Sequence, residues 1–265
     1  NKKIPDIVHK ELLTLHNLYL MIGGMPGIVN EYLNFDNLIN ITENHTLLMG
    51  TYRSYLNNIS SDSEALKMNQ VLSSIPLQLM KENKKFQYKL IRKGTTHAMY
   101  KDAIQNLADR NYVIPSFKIA SDELSNLYAI LEDKKLNVNE ITNFRLYLPE
   151  VGILYSLLTK LEKPPLGSDL AMKALLENYV AETLLANGYP VMFWESDSTA
   201  KIEFLVPKAG HIIPVELFTD TNTRSKNISV LKQKIDFPYA IKISARNFGY
   251  SKDVKYVPYY AAFCI

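Results

Sequence analysis

The stretch from Ser168 to Phe263 constrains the fold more than any other part of the chain. It opens as one helical segment and continues as short apolar runs of strand length. Ser168 or Asp169 stands where a helix N-cap belongs. Leu176, Tyr179, Val180, Thr183 and Leu184 recur at helical spacing, and Gly188 stops the pattern after Asn187. Runs at 191–195, 200–206, 211–218, 238–244 and 255–263 then read as strands, with a helix near 225–236. One helix, several strands and a further helix predict an α/β sandwich around a central mixed sheet.

The remainder is predicted to be largely helical. Residues 7–33 read as helix broken at 23–27, where Gly23-Gly24-Met25-Pro26-Gly27 places Pro26 in the first turn of a new helix. Two more helices are predicted at 45–59 and 64–80, with Pro76 expected to end or bend the second. A strand at 86–90, a turn at Gly94 with a Thr cap, and a helix carrying Met99, Ala103, Ile104, Leu107 and Ala108 follow. Extended runs at 112–117 and 144–148 complete the pattern of a winged helix, a variant of the helix-turn-helix. The clearest linker is 162–167, with two prolines and a glycine.

Composition narrows the class. The 265 residues are 47% hydrophobic and 22% charged, an ordinary globular balance with enough chain for a sizeable core. Cys264 is the single cysteine, which excludes an internal disulfide or a cysteine-built zinc site and points to an intracellular, cytoplasmic protein. No run of 18 apolar residues exists, so no membrane span is expected. The start, Asn1-Lys-Lys-Ile-Pro5, has neither a signal core nor an initiator methionine, so the chain reads as a piece of something longer.

The net charge of +3 says little, but it is unevenly spread. Residues 73–118 carry nine Lys or Arg against three acids. Lys84, Lys85, Lys89, Arg92, Lys93 and Lys101 are the candidate contacts to a nucleic-acid backbone. Asp102 and Asp109 on the same candidate recognition helix would repel one. The competing reading is a solvated lysine face used for protein contacts.

Chemistry concentrates in two of the predicted strands. Alternation puts Lys201, Glu203 and Leu205 on one face, and Ile212, Pro214, Glu216 and Phe218 on one face of the next strand. Glu203 and Glu216 on neighbouring strands are the candidate metal ligands, with Glu177 on the preceding helix as a third acid. A nuclease of this plan needs a cation two residues past Glu216, and the chain has Phe218 there. Lys201 is the candidate replacement, with Arg224 or Lys226 as others. The bland alternative is that Glu203 and Glu216 simply pair with such cations. The histidines show no metal spacing, and neither a nucleotide phosphate loop nor a nucleophile elbow is present.

These segments resemble a known group. "LYLMIGGMPGIVNEYL" (18–33) is similar to the end of the ATPase module in a prokaryotic AAA-type ATPase family, with Gly27 in place of its usual acid. "SSIPLQLMKENKKFQYKLIRKG" (73–94) and "FRLYLPEVGILYSLL" (144–158) resemble that family's winged-helix region. "ALLENYVAETLL", "AKIEFLV", "IPVELFTDTNTRSKNI" and "VPYYAAFCI" resemble its C-terminal DUF4143 domain, which is similar to the restriction-endonuclease-like PD-(D/E)xK fold. The resemblance implies an α+β multidomain chain: a helical tail of the ATPase lid at 1–38, a winged-helix region at 39–165 and an endonuclease-like domain at 166–265. It implies that Glu177, Glu203 and Glu216 stand at the acidic positions, Phe218 at the lysine position and Lys201 at a further acid's position. No cofactor is expected in this chain, since ATP and magnesium belong to the family's N-terminal part. The expected function is a non-catalytic half of an AAA-type ATPase that binds DNA, a protein partner or its own ATPase domain. The alternatives are an active metal-dependent nuclease with a relocated lysine, and a regulatory or oligomerisation module without nucleic-acid binding.

Overall fold

The computed structural model describes residues 2–35, 40–133, 137–161 and 167–265. The predicted linker at 162–167 lies outside these except for Gly167, as do the boundaries expected at 38/39 and 165/166. The fold is mixed α and β, with a helical N-terminal part and two mixed sheets. In chain order the elements are α1 (Asp6–Ile22), α2 (Pro26–Phe35), α3 (Ile41–Ile59), α4 (Asp62–Leu79), α5 (His97–Asp109), β1 (Ile114–Ile119), α6 (Leu127–Asp133), β2 (Phe144–Tyr147), α7 (Val151–Leu158), α8 (Asp169–Ala186), β3 (Met192–Glu195), β4 (Lys201–Ile202), β5 (Phe204–Lys208), β6 (His211–Leu217), α9 (Asn227–Leu231), β7 (Ala240–Ser244), β8 (Gly249–Ser251) and β9 (Val254–Pro258). Among the described residues no single helix is long and apolar enough to cross a membrane.

The chain divides into two compact units that interleave along the sequence. One comprises Asn17–Pro115 and Asn137–Glu182; the other comprises Asn1–His16, Ser116–Leu136 and Thr183–Ile265.

The first unit is helical. Gly23, at φ +76°, ends α1, and Pro26 starts α2, as the glycine-proline run predicts. In α4, Met68, Val71, Leu72, Ile75 and Leu79 form the buried face that packs on α3 and α5. Ser61 caps α4 by accepting from the Glu64 amide. Pro76 neither stops nor replaces the helix, which runs on to Leu79. So close to the C-terminus a proline's missing N–H costs a single hydrogen bond, and Pro76 is itself buried.

The strand expected at 86–90 does not form. Phe86 N donates to Phe144 O at 2.8 Å and the two rings stack at 5.5 Å. The chain then coils into a 3₁₀ turn, Tyr88–Leu90. The Gln78 side chain from α4 explains why. Its Nε2 donates to Gln87 O and its Oε1 accepts from Gln87 N, each at 3.0 Å. One amide thus satisfies both backbone groups that a neighbouring strand would otherwise take.

The second unit holds most of the strands; β2 and the first two residues of β1 belong to the helical unit. β1 runs parallel to β3 (Phe117↔Met192), and β3 antiparallel to β4 (Trp194↔Ile202). The other sheet has the order β5-β6-β7-β9-β8, with parallel pairs β6/β7 and β7/β9 and antiparallel pairs at both edges. Trp194, Met192, Ile202, Leu205, Ile212 and Leu231 share its buried core. The single strand expected at 200–206 is two strands: β4 belongs to the first sheet and β5 to the second, with a bend at Glu203. The run expected at 255–263 stops at Pro258, and Tyr259–Cys264 winds into a 3₁₀ helix.

Candidate functional site

The acidic positions converge on β6. Phe204 pairs with Val215, so one step further along that register sets Glu203 opposite Glu216. On the other side of β6, Glu216 is in register with Lys242 of β7, and Lys242 with Tyr256 of β9. Residues in register on adjacent strands share a face of the sheet. The face therefore carries a row of two acids, an amine and a phenol.

The row is closed by its surroundings. Glu216 is 1% exposed. Its Oε1 accepts from the Ser225 hydroxyl in a short hydrogen bond and from Asn227 Nδ2 at 3.0 Å. Its Oε2 lies 3.2 Å from Lys242 Nζ. Lys242 Nζ also donates to Thr223 O at 2.7 Å. The segment 223–227 thus turns Thr223, Ser225 and Asn227 toward the row and leaves Arg224 and Lys226 exposed. Glu203 is buried, and its Oε2 accepts from Leu217 N at 3.4 Å. Phe218, just beyond β6, sets its ring centre 5.3 Å from Lys242 Nζ. Arg246 donates to Thr223 Oγ1 at 3.3 Å and stacks on Tyr256, 4.1 Å from its ring centre.

Sequence reading found both acids and missed the cation. Lys201, the proposed replacement, lies in β4, on the far side of the bend at Glu203 and opposite Glu195 in the other sheet. Alternation from 201 to 203 therefore fails, because it assumes one continuous strand. Arg224 and Lys226 point outward, and Lys242 stands beside Glu216 in their place. The signal that would have found it is the "AIKIS" run, a lysine set between two isoleucines in a strand of apolar and small residues. Among the described residues no group of three or more His, Cys, Asp or Glu side chains is placed to hold a metal ion.

Glu177 sits in the helical unit and has other company. Its Oε1 is 2.9 Å from Lys84 Nζ, Arg145 and Lys173 are each 3.9 Å from the carboxylate, and Tyr147 donates to Oε2 at 3.2 Å. Burial pushes this carboxyl up, but the fields of Lys84, Arg145 and Lys173 outweigh that and hold it at about 2. Lys84, expected on a nucleic-acid face, is consequently a buried ion-pair partner, 5% exposed. Lys85, Lys89, Arg92 and Lys93 are exposed, and Lys101 is half-buried.

The glycine-rich break has a structural partner as well. Glu150 Oε1 accepts from Gly24 N at 3.0 Å and from Gly152 N at 3.2 Å, which joins the end of α1 to the start of α7. Burial raises the Glu150 carboxyl, and those two amides oppose it. A Cβ on Gly23 would lie 1.9 Å from the same Oε1.

A family model described as a domain of unknown function, DUF8612, matches residues 14–164, more than half of the chain. The chain belongs to the DUF8612 family. The model of a second domain of unknown function, DUF4143, matches residues 172–261. No curated protein and no solved structure matches the chain. In this DUF8612 protein the row of Glu203, Glu216 and Lys242 falls within the DUF4143 match. The Glu177 cluster joins the two matched segments, since Lys84 and Arg145 come from the first and Glu177 from the second.

Proposed function

We propose that this chain is a non-catalytic binding module that holds the phosphate backbone of DNA through its helical unit, and that its sheet unit keeps the frame of a nuclease site without the chemistry. The observation that carries the second part is the filled surroundings of Glu216: its Oε1 accepts from Ser225 and Asn227, and its Oε2, which accepts no hydrogen bond, lies 3.2 Å from the Lys242 ammonium. A divalent cation would have to displace a buried ammonium and break two hydrogen bonds, and magnesium gives up its own waters reluctantly. For the first part, α4, α5 and β1 are read as a winged helix. Lys85, Lys89, Arg92 and Lys93 lie in its exposed connection between α4 and α5. The resemblance to AAA-type ATPases makes the natural context a larger, ATP-driven assembly in the cytoplasm.

Duplex binding across a salt series tests this reading. Affinity is expected to fall steeply with salt, and replacing Lys89, Arg92 and Lys93 together by alanine should reduce the slope by about 3 × 0.9 in log–log terms. Binding at low salt no better than that of a neutral control protein would overturn it.

One observation favours a second reading. Lys242 places an amine in register with Glu216, which a nuclease with a relocated lysine requires. That reading predicts cleavage in Mg²⁺ or Mn²⁺ that disappears in both Glu216→Gln and Lys242→Met. Absence of cleavage in either metal rejects it.

A further inference from the structure

A cavity of about 420 Å³ opens between α3, α4 and the turn that follows α4, within the helical unit. Its walls are unlike those of a packing defect. α3 contributes Arg53 and Asn57, α4 contributes Asn69, Gln70 and Ser73, and the turn contributes Leu90 and Ile91. Defects left by imperfect packing are apolar, whereas cavities that take ligands combine an apolar wall with a few fixed polar groups.

The polar groups are fixed by two rungs between the helices. Arg53 Nη2 donates to Ser73 Oγ at 3.0 Å, and Asn69 Nδ2 donates to Asn57 Oδ1 at 3.1 Å. Gln70 is held from behind by the Tyr100 hydroxyl, which donates to its Oε1 at 2.6 Å. Two buried atoms remain without a hydrogen-bond partner among the described residues: Arg53 Nε, a donor, and Asn69 Oδ1, an acceptor. Leaving either group dry and unpaired costs about 1–3 kcal/mol. A ligand that satisfies both must offer an acceptor and a donor. It must also present a flat apolar face to Leu90 and Ile91. The charge flanking Leu90 and Ile91 in the chain adds a third requirement. Lys89, Arg92 and Lys93 bracket Leu90 and Ile91 in the chain and are exposed, which suits an attached phosphate.

We propose that this cavity is a site for an unpaired nucleobase, with Arg53 and Asn69 reading its hydrogen-bonding edge and its phosphate against Lys89, Arg92 and Lys93. The ligand is either a free nucleotide or a base in single-stranded nucleic acid, since both present the same edge, face and phosphate. A base inside a duplex has that edge paired and cannot enter. The proposal deepens the nucleic-acid reading above and, for the single-strand source, rests on it.

The test uses the full chain with fluorescent single-stranded 12-mers of each base, the corresponding duplexes, and the nucleoside 5′-monophosphates as competitors. The expected result is single-strand affinity at least tenfold above duplex affinity for one or two of the bases. Asn69→Leu should reduce that preference at least fivefold while leaving duplex affinity unchanged. Arg53→Lys keeps the charge but loses the Nε donor, and it should do the same if Asn69→Leu does not fold. A thermal melt matching the parent protein confirms that either variant is intact. Direct binding of a nucleoside monophosphate, read by calorimetry, with no strand binding at any salt, assigns the cavity to free nucleotides and removes the backbone-binding reading. Salt-dependent duplex binding with no single-strand preference and no competition overturns the nucleobase site and leaves the backbone reading standing. Absence of binding by strand, duplex and monophosphate alike overturns both.

Discussion

At the scale of single residues, Glu177 shows how far burial can mislead a reading by residue type. An acid on a helix that precedes acidic strands invites a catalytic role. The structure surrounds it instead with three cations and a phenol. Replacing Glu177 by Gln would leave Lys84 and Arg145 as buried charges without their counter-ion, so a loss of about 3–5 kcal/mol is expected in denaturant unfolding. The same carboxyl sets a pH dependence. Its pKa is depressed from 4.5 to about 2 on folding, so its contribution is complete above 4.5 and is lost as pH falls from there toward 2. In Glu177→Gln that stretch of the stability curve should flatten. A steeper fall there than in the parent protein would contradict the assignment. Gly23 makes a second residue-scale prediction. An alanine there meets Glu150 Oε1 at 1.9 Å and must also adopt φ +76°, so Gly23→Ala should cost about 1–3 kcal/mol. An unchanged unfolding midpoint would show that the Glu150 bridge is not rigid. Neither environment was legible in the sequence, because Lys84, Arg145 and Tyr147 lie far along the chain from Glu177, and Glu150 lies far from Gly23. What was legible was local: the turn at 23–27 and the helical stripes follow from neighbours within a few residues, whereas the Thr cap expected for α5 makes no side-chain cap bond.

Among the elements, the central strands decide what the sheet unit can do. Glu216 and Lys242 face each other across the parallel pair β6/β7, and α9 lies between those strands in sequence. A parallel register of this kind is fixed by packing, which is why alternation along one strand pointed to Lys201 and not to Lys242. The pair should behave as a coupled unit. Lys242→Met alone strands a buried carboxylate and should destabilise by about 3 kcal/mol or more, whereas adding Glu216→Gln should restore part of that loss. Simple additivity in this double-mutant cycle would mean that the two groups do not sense each other. The edge strand β8 escaped prediction for a related reason. Its turn to β9 is Lys252-Asp253, both with positive φ (52° and 58°), and it has no glycine to announce it. The turn between β5 and β6 uses the same positive-φ geometry at Ala209 and Gly210, where a glycine does stand in the turn.

For the whole molecule, the sequence suggests beads on a string and the structure does not follow that order. Two family matches lie end to end, at 14–164 and 172–261, while each compact unit draws on segments from both sides of the gap. Separate fragments 1–165 and 166–265 should therefore be poorly folded alone: the first lacks α8 and Glu177, and the second lacks β1, the parallel partner of β3. Co-expression should recover soluble material, which size-exclusion chromatography and circular dichroism can follow. A cooperative melt from either fragment on its own would refute this. The cluster around Glu177 carries the same logic into heredity. Because its acid and its principal bases come from different matched segments, a recombinant gene joining the front of one relative to the back of another inherits a matched set of charges or a mismatched one. Relatives that have lost the acid should have lost Lys84 or Arg145 with it, and swaps that ignore this pairing should yield chimeras that fail in the cell before any activity is tested.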